Sequence, residues 1–202
     1  LQQFVGALNA LADKALERLP DRQEERLAAP VQSFSRPPRG RWADAMNALT
    51  QADVLDWTTG SEYLRFRDAD AAQFARGGWL EDYAYHVVHD AGVHDARLGV
   101  TGAWDNEQAM ANELDVLACH GNQLLFIECK TLRLHDQNDN DIAYKLDSLG
   151  EDARGLFGST WLLSAREPTD TLIARTRRAR IRLVPPAELQ RLRELVREWR
   201  GA

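Results

Sequence analysis

The sequence predicts an α/β domain, and three patterns in its 202 residues carry that prediction. From Gly78 onward, apolar runs alternate with stretches of helical spacing, in the order α-β-β-β-α-β-α-β-α. Two of the apolar runs flank Gly121 and Asn122, a pair typical of a two-residue β-hairpin turn. The chain closes on an amphipathic stretch, "PPAELQRLRELVREWR". Hairpin strands together with strands joined through helices predict a mixed central sheet flanked by helices.

A smaller segment, residues 1–76, precedes this domain, which we assign to residues 77–202. "FVGALNALADKALERL" predicts a helix, and the charged, proline-rich "PDRQEERLAAPVQSFSRPPRGR" predicts a linker or long loop. "RWADAMNALTQADVLDW" predicts a helix that runs into a short strand, and "TTGSEYLRFRD" predicts the second arm of a hairpin. A helix followed by a hairpin is the outline of a small winged-helix-like segment.

Each later element follows from its local pattern. Gly77 and Gly78 predict a break, after which "WLEDYAYHVVHDAGV" predicts a helix and "ARLGVT" a strand. A loop, "GAWDNEQAMAN", leads to the hairpin "ELDVLACHGNQLLFIECKT", which is followed by a polar loop, "RLHDQNDND". "IAYKLDSLGEDARGLFG" predicts a helix, "TWLLSA" a strand, "TDTLIARTRRA" a helix and "RIRLV" the last strand.

Composition narrows the class of protein. The net charge of −6 argues against a basic coat for nucleic acid, although it allows an acidic metal site within a locally basic groove. No apolar run approaches the length that spans a bilayer. Cys119 and Cys129 fall on apolar strands and form no disulfide framework, so we expect a cytoplasmic protein.

Four charged residues stand at the ends of the hairpin strands that lie away from the turn: Glu113, Asp115, Glu128 and Lys130. With the Gly-Asn pair as a type II′ loop, Asp115 faces Glu128 across the strands and Glu113 faces Lys130. Strand alternation places all four on one face. Opposed carboxylates destabilise a strand pair, so this corner requires a compensating positive charge.

The rest of the hairpin is apolar on both faces, which predicts that it is covered on both sides. Carboxylates at the end of such a pair are costly unless they are paired or bind metal. Asp115 and Glu128 can supply oxygen ligands for Mg²⁺ or Mn²⁺, with the backbone carbonyl of Cys129 as a third candidate. Lys130 can position or activate water, or neutralise charge on a phosphorane. The alternative is a Glu113–Lys130 salt bridge beside a tolerated carboxylate pair.

The acid on one strand and "ECK" on the next resemble the PD-(D/E)XK nuclease signature. "GGWLE", "NELDVL", "FIECKT" and "AYKLDSLG" are similar in order and spacing to the CARF-fused nucleases of type III CRISPR systems, which cyclic oligoadenylate activates. The resemblance covers about residues 43–185. It implies a restriction-endonuclease-like core in which Asp115 and Glu128 bind metal and Lys130 is catalytic. Glu81 would assist, and Lys145 would face the substrate phosphates.

The same resemblance implies a homodimer that cuts single-stranded DNA or RNA, or nicks duplex DNA. Those nucleases sense cyclic oligoadenylate through an N-terminal CARF domain of Rossmann-like type. We recognise no such domain and no glycine-rich phosphate loop here, so we expect Leu1 to start just after it. The 202 residues would then hold the effector part and would not respond to the activator by themselves.

Two other classes of function stay open. One is a nuclease-like fold that serves only to bind nucleic acid or to dimerise; the opposed carboxylates argue against it, because binding does not require them. The other is a restriction or repair nuclease unrelated to CRISPR. Cutting by a full-length protein only after addition of cyclic oligoadenylate separates the two nuclease interpretations.

Three further groups of side chains have both a functional and a structural interpretation. His86, His89 and His94 could ligate zinc, but no nearby cysteine or fixed fourth ligand supports that. The arginines of "ARTRRARIR" could contact a phosphate backbone or could simply be a solvated face. Four aromatic residues could stack on bases, although we expect most of them to fill a core: Trp42, Trp57, Tyr63 and Phe66.

Overall fold

The computed structural model describes residues 4–17, 31–102, 112–132 and 158–201. The chain divides into two compact units, Leu1–Trp79 and Leu80–Ala202. Among the described residues, no helix has both the length and the apolar character that crossing a membrane requires.

In its described residues, the first unit contains three α-helices and a three-stranded antiparallel sheet of order β1-β3-β2. The bounds are α1 Val5–Glu17, β1 Val31–Ser33, α2 Arg41–Gln51, β2 Leu55–Trp57, β3 Tyr63–Phe66 and α3 Ala69–Gln73. The predicted first helix, the predicted helix-to-strand segment and the hairpin arm are confirmed. The winged-helix assignment and the domain boundary after residue 76 stay predictions.

Strand β1 lies inside the stretch that the sequence predicts as a linker, so that prediction is wrong at residues 31–33. Val31 pairs with Arg65 and Ser33 pairs with Tyr63, while Gln32 between them is buried. A three-residue strand flanked by prolines has too little periodicity to be recognised. Its pairing is with a strand that is distant in the sequence, and local patterns do not report such contacts.

The predicted break at Gly77 and Gly78 is also wrong, because both glycines lie in a π-helical turn, Phe74–Gly78. Before that turn, the Asp68 carboxylate caps α3 by accepting the N–H of Ala71 at 2.7 Å. A glycine inside a helix costs only about 1 kcal/mol relative to alanine, so a capped helix can absorb it.

Three of the four aromatic residues singled out in the sequence pack as expected. Trp57 and Phe66 are buried in the core of the first unit, and Trp42 packs against that core with its ring 4.7 Å from the ring of Phe4. Tyr63 is 61% exposed, so core packing is wrong for this residue. The burial of β3 alternates, and Tyr63 falls on its exposed side.

The second unit is built on a five-stranded sheet flanked by helices. Its elements are α4 Trp79–Asp90, β4 Asp95–Gly102, β5 Asn112–His120, β6 Gln123–Lys130, β7 Ser159–Ser164, α5 Asp170–Arg178, β8 Ile181–Val184 and α6 Leu192–Arg200. A 3₁₀ turn, Pro186–Arg191, leads into α6. The strand order is β4-β5-β6-β7-β8. The pairs β4–β5 and β5–β6 are antiparallel and β6–β7 and β7–β8 are parallel, which confirms the predicted mixed sheet.

The hairpin has the predicted register. Its pairs run from Val116 opposite Ile127 to His120 opposite Gln123. Gly121 has φ 54° while Asn122 keeps a negative φ, the combination of a type II′ turn. Glycine suits the first turn position, because a left-handed φ strains most side chains and asparagine least among them.

The prediction that both faces of the hairpin are buried is confirmed for β6. It is wrong for the end of the β5–β6 pair next to the turn. The five consecutive residues Leu125–Cys129 are buried. Leu124, by contrast, is 37% exposed, and Leu117 and Cys119 on the same face are half-buried. The sheet therefore has a closed centre at β6 and an open face toward β4.

Two predicted loops and one predicted helix fall on residues 103–111 and 133–157, which lie outside the described residues. Lys145 belongs to that second range, so its predicted role at the substrate phosphates stays a prediction.

The N-cap of helix α5 allows a test of how much a single capping hydrogen bond stabilises the second unit. The Thr169 hydroxyl accepts the N–H of Leu172 at 3.1 Å, and Leu172 packs with Leu162 of β7. Thr169→Ala should lower the free energy of unfolding by about 1 kcal/mol, because it removes the cap. Thr171→Ala, on the exposed face of the same helix, should leave it unchanged or slightly higher. Urea unfolding of both variants checks this, and equal losses would contradict the capping role.

Candidate functional site

Glu128 and Lys130 form the centre of the candidate site. They stand two residues apart on β6, so the strand's alternation places both on one face. Lys130 Nζ lies 2.6 Å from Glu128 Oε1, and Glu128 is only 4% exposed. The structure therefore supplies the positive charge that the buried carboxylate requires. The alternative Glu113–Lys130 salt bridge does not form among the described residues, because Lys130 pairs with Glu128.

Asp115 is held against the same strand from β5. Its Oδ2 accepts the backbone N–H of Cys129 at 2.6 Å, across the end of the hairpin ladder. A backbone N–H that bonds a carboxylate both satisfies the buried peptide group and fixes the orientation of the acid. Asp115, Glu128 and Lys130 are thus brought together as the sequence predicted.

Glu81 joins this group from the first turn of α4. Burial raises the pKa of the Glu81 carboxyl, and the negative charge of Glu113 raises it further while Lys130 opposes both. The half-buried Glu81 therefore lies within the electrostatic field of the charged end of the hairpin. Helix α4 thus places a further carboxylate beside the charged end of the hairpin, and the assisting role of Glu81 stays a prediction.

Burial, together with the crowding of acids, governs protonation in the site. Burial, followed by the charge of Glu128, raises the pKa of Asp115 to about 7, although the hydrogen bond from the Cys129 N–H opposes the rise. Burial alone would lower the pKa of Lys130, but Glu128 and Asp115 outweigh it, so that pKa lies above its usual range. At neutral pH the lysine is therefore a cation, and Asp115 is poised to exchange its proton for another positive charge.

The donor set suits a hard divalent cation. Within the described residues, no group of three or more His, Cys, Asp or Glu side chains is arranged to hold a metal. Mg²⁺ commonly binds through one or two carboxylates, with water and substrate phosphate as its remaining ligands, so Asp115 and Glu128 fit it or Mn²⁺. Burial and the neighbouring Asp115 hold the pKa of the Cys129 thiol well above its usual range, so a thiolate ligand is disfavoured. The carbonyl of Cys129 stays a predicted ligand.

Gly99 is a residue of the site that the sequence analysis missed. The pairs Leu98–Val116 and Val100–Leu114 bracket it, so Gly99 lies across the ladder from Asp115. Its φ of 62° is left-handed within strand β4. A glycine inside the apolar stretch "ARLGVT" was the available signal, since glycine in a strand marks a bulge or a close approach.

The histidines do not form a metal site in the described part of the chain. His86 and His89 are largely exposed, and each lies 3.5 Å from an aspartate oxygen on its own helix. His94 instead accepts the N–H of Gly121 at the hairpin turn.

The arginine run lies at the opposite end of β7 and β8 from Lys130. Arg177, Arg178 and Arg180 are exposed, and the Arg182 guanidinium stands 5.1 Å from the ring centre of Trp161. Lys130 is level with Ser164 in the sheet, whereas Arg182 is level with Trp161. The run is therefore outside the carboxylate site, and its two interpretations stay open.

The described residues of the second unit form an α/β fold with a mixed five-stranded sheet flanked by helices, and the buried Glu128 pairs with Lys130 at the end of its central strand. A family model described as "Card1-like, endonuclease domain" matches residues 68–202. The chain belongs to this family.

Two solved structures are similar over nearly the whole chain. Protein VC1899 from Vibrio cholerae is 27% identical, with a TM-score of 0.79 over 98% of this chain and 51% of that one. Can2 from Sulfobacillus thermosulfidooxidans, solved in complex with cyclic tetra-adenylate, is 22% identical, with a TM-score of 0.72 over 99% and 53%. The chain thus spans about half the length of each. No protein of curated function matches it.

The raised pKa of Asp115 predicts how metal-free stability depends on pH. The native state keeps a proton on Asp115 up to about pH 7, whereas the unfolded chain loses it near pH 4. Native stability therefore falls as pH rises between these values. Asp115→Asn, which still accepts a hydrogen bond, should unfold less readily than wild type at pH 8, by on the order of 1–2 kcal/mol.

That difference should shrink toward pH 4, and thermal unfolding in EDTA across this range measures it. Asp95→Asn is the matched control, since Asp95 is an exposed aspartate on the neighbouring strand. Parallel stability curves for wild type and Asp115→Asn would contradict the buried-acid explanation.

Proposed function

We propose that the domain is a metal-dependent endonuclease that hydrolyses phosphodiester bonds of single-stranded DNA or RNA, or nicks duplex DNA. The observation that carries the proposal is the Asp115–Glu128–Lys130 arrangement, with Glu128 buried and Lys130 at 2.6 Å from it. Membership of the Card1-like endonuclease family supports the reaction class.

Asp115 and Glu128 would hold Mg²⁺ or Mn²⁺ on the hairpin face that also carries Lys130. When bound, the cation lowers the pKa of a water and polarises the scissile phosphate. The hydrogen bond from the Cys129 N–H keeps one oxygen of Asp115 in place, so the carboxylate is oriented before the cation arrives. Glu81 adds negative charge beside this pair and assists in attracting the cation.

Lys130 would neutralise charge that develops on the phosphorane. Hydrolysis forms a bond from water oxygen to phosphorus and breaks the bond to the leaving oxygen, which takes up a proton. The pKa of Lys130 is raised, so its ammonium keeps its proton at neutral pH. A retained proton favours charge neutralisation and positioning of water over a role as general base.

Cleavage of labelled single-stranded DNA, single-stranded RNA and supercoiled plasmid tests the proposal. We expect cutting in Mg²⁺ or Mn²⁺ and none in EDTA. Glu128→Gln and Lys130→Ala should each reduce the rate by about 100-fold or more, because each removes charge at the reacting centre. Glu198→Gln, on the exposed face of α6, should cut like wild type.

Cleavage in EDTA would contradict the proposed metal dependence. Full activity of both Glu128→Gln and Lys130→Ala would contradict the proposed catalytic role of these residues. Oligonucleotide binding without cutting, in the full-length protein as well, would favour the non-catalytic binding module.

We further propose that the domain is the effector part of a CRISPR ancillary nuclease that cyclic oligoadenylate activates. Two observations support this. The solved Can2 is bound to cyclic tetra-adenylate, and the chain spans 53% of Can2. A CARF sensor, a homodimer and a cytoplasmic location belong to the same proposal.

The full-length protein decides this second proposal. Cyclic tetra-adenylate should raise its cleavage rate while leaving the rate of residues 1–202 unchanged. Equal cutting with and without the activator would favour a restriction or repair nuclease unrelated to CRISPR. Light scattering of the full-length protein tests the homodimer.

A further inference from the structure

The exposed face of β4 leads directly to the carboxylates. Asp115 and Gly99 lie opposite each other in the ladder, and opposed residues of an antiparallel pair share a face. Arg97 and Thr101 stand two residues to either side of Gly99, so they share that face as well. All three β4 residues are exposed, whereas Leu125–Cys129 of β6 are buried.

Packing among the described residues does not explain the glycine. Within that part of the chain, a Cβ built at Gly99 would have the Glu113 Oε1 at 3.9 Å, an ordinary contact, as its neighbour. The left-handed φ of 62° favours glycine, yet such a φ inside a strand is itself a distortion that needs a cause. Glycine within a strand occurs where a ligand or another backbone approaches closely.

Arg97 supplies a positive charge on the same exposed face. Its Nε lies 3.1 Å from Asp95 Oδ2, and its side chain is 70% exposed. Exposed ion pairs of this kind contribute little stability, so the guanidinium can turn to another anion at small cost. Residues 97 and 99 are about 7 Å apart along the strand.

We propose that Gly99 marks the path by which the sugar–phosphate backbone of the substrate reaches Asp115 and Glu128, and that Arg97 binds a phosphate further along the path. The substrate strand lies against β4 because position 99 presents no side chain. This assignment rests on the proposed nuclease function. It adds that the nucleic acid reaches the site along the exposed face of β4.

Gly99→Asn tests the path, because asparagine tolerates a left-handed φ and fills the gap. Its matched control is Gly121→Asn, at a φ of 54°, where no heavy atom of the described residues lies within 4 Å of the new Cβ. Three quantities are measured: cleavage of a labelled single-stranded oligonucleotide in Mn²⁺, its binding by fluorescence anisotropy in Ca²⁺, and Mn²⁺ affinity by calorimetry. For Gly99→Asn we expect KM and Kd to rise at least tenfold, with kcat within threefold and Mn²⁺ affinity unchanged. Gly121→Asn should match wild type.

Arg97→Gln provides a second test that does not depend on backbone strain. It should weaken oligonucleotide binding and reduce the slope of log Kd against log salt by about 0.7–0.9, the value for one phosphate contact. Arg193→Gln is the control, since Arg193 forms a similar exposed pair with Asp90 at 3.2 Å. It should leave the slope unchanged.

Equal KM and Kd values in the two glycine variants would contradict the proposed substrate path. An unchanged slope of log Kd against log salt in Arg97→Gln would contradict it as well. A parallel loss of Mn²⁺ affinity in Gly99→Asn would instead show a role in shaping the carboxylates. A full-length wild type that binds the oligonucleotide without cutting it, with cyclic tetra-adenylate present, would refute the proposed nuclease function, while the Kd values would still decide the path. A full-length wild type that neither binds nor cuts under those conditions would refute both.

Discussion

Mutual repulsion of the acidic side chains at the end of the β5–β6 hairpin is the constraint on which the site depends. Asp115 and Glu128 approach each other on adjacent strands, where like charges destabilise a sheet. Two neighbours offset the repulsion: the Lys130 ammonium at Glu128 and the Cys129 N–H at Asp115. Burial and the remaining repulsion from Glu128 together raise the pKa of Asp115 to about 7. A site in this condition would gain stability from a cation that it bound, which supports the proposed metal.

The sheet topology places this strain where it can be tolerated. Strand β6 is central, with β5 antiparallel on one side and β7 parallel on the other. The carbonyl of Lys130 accepts the N–H of Ala165 at 2.9 Å, just beyond the end of β7. Hydrogen-bonded strands on both sides therefore fix the backbone of the "ECK" stretch. The side chains of Glu128 and Lys130 have little freedom left, which is the preorganisation that catalysis by charge requires.

The site lies at the boundary between the closed and the open parts of the sheet. Burial at β6 strengthens the interactions among the charges, because the local dielectric is low. Because β4 is exposed, a polyanionic substrate could reach the carboxylates along the proposed path, whereas a fully enclosed site would exclude it. The same boundary explains why coverage of both hairpin faces is only partly confirmed. The apolar pattern of the hairpin predicts equal burial along its whole length, whereas a nuclease needs one side of the hairpin to be accessible to its substrate.

The sequence by itself determined the features that local chemistry controls. The turn at Gly121–Asn122 and the strand period of two fixed the register, and the register fixed which charges meet. Tertiary structure decided the rest. It paired β1 with a distant strand, carried the helix through Gly77 and Gly78, and set Gly99 opposite Asp115. These outcomes depend on contacts between segments far apart in the chain, whose free energies a local pattern does not contain.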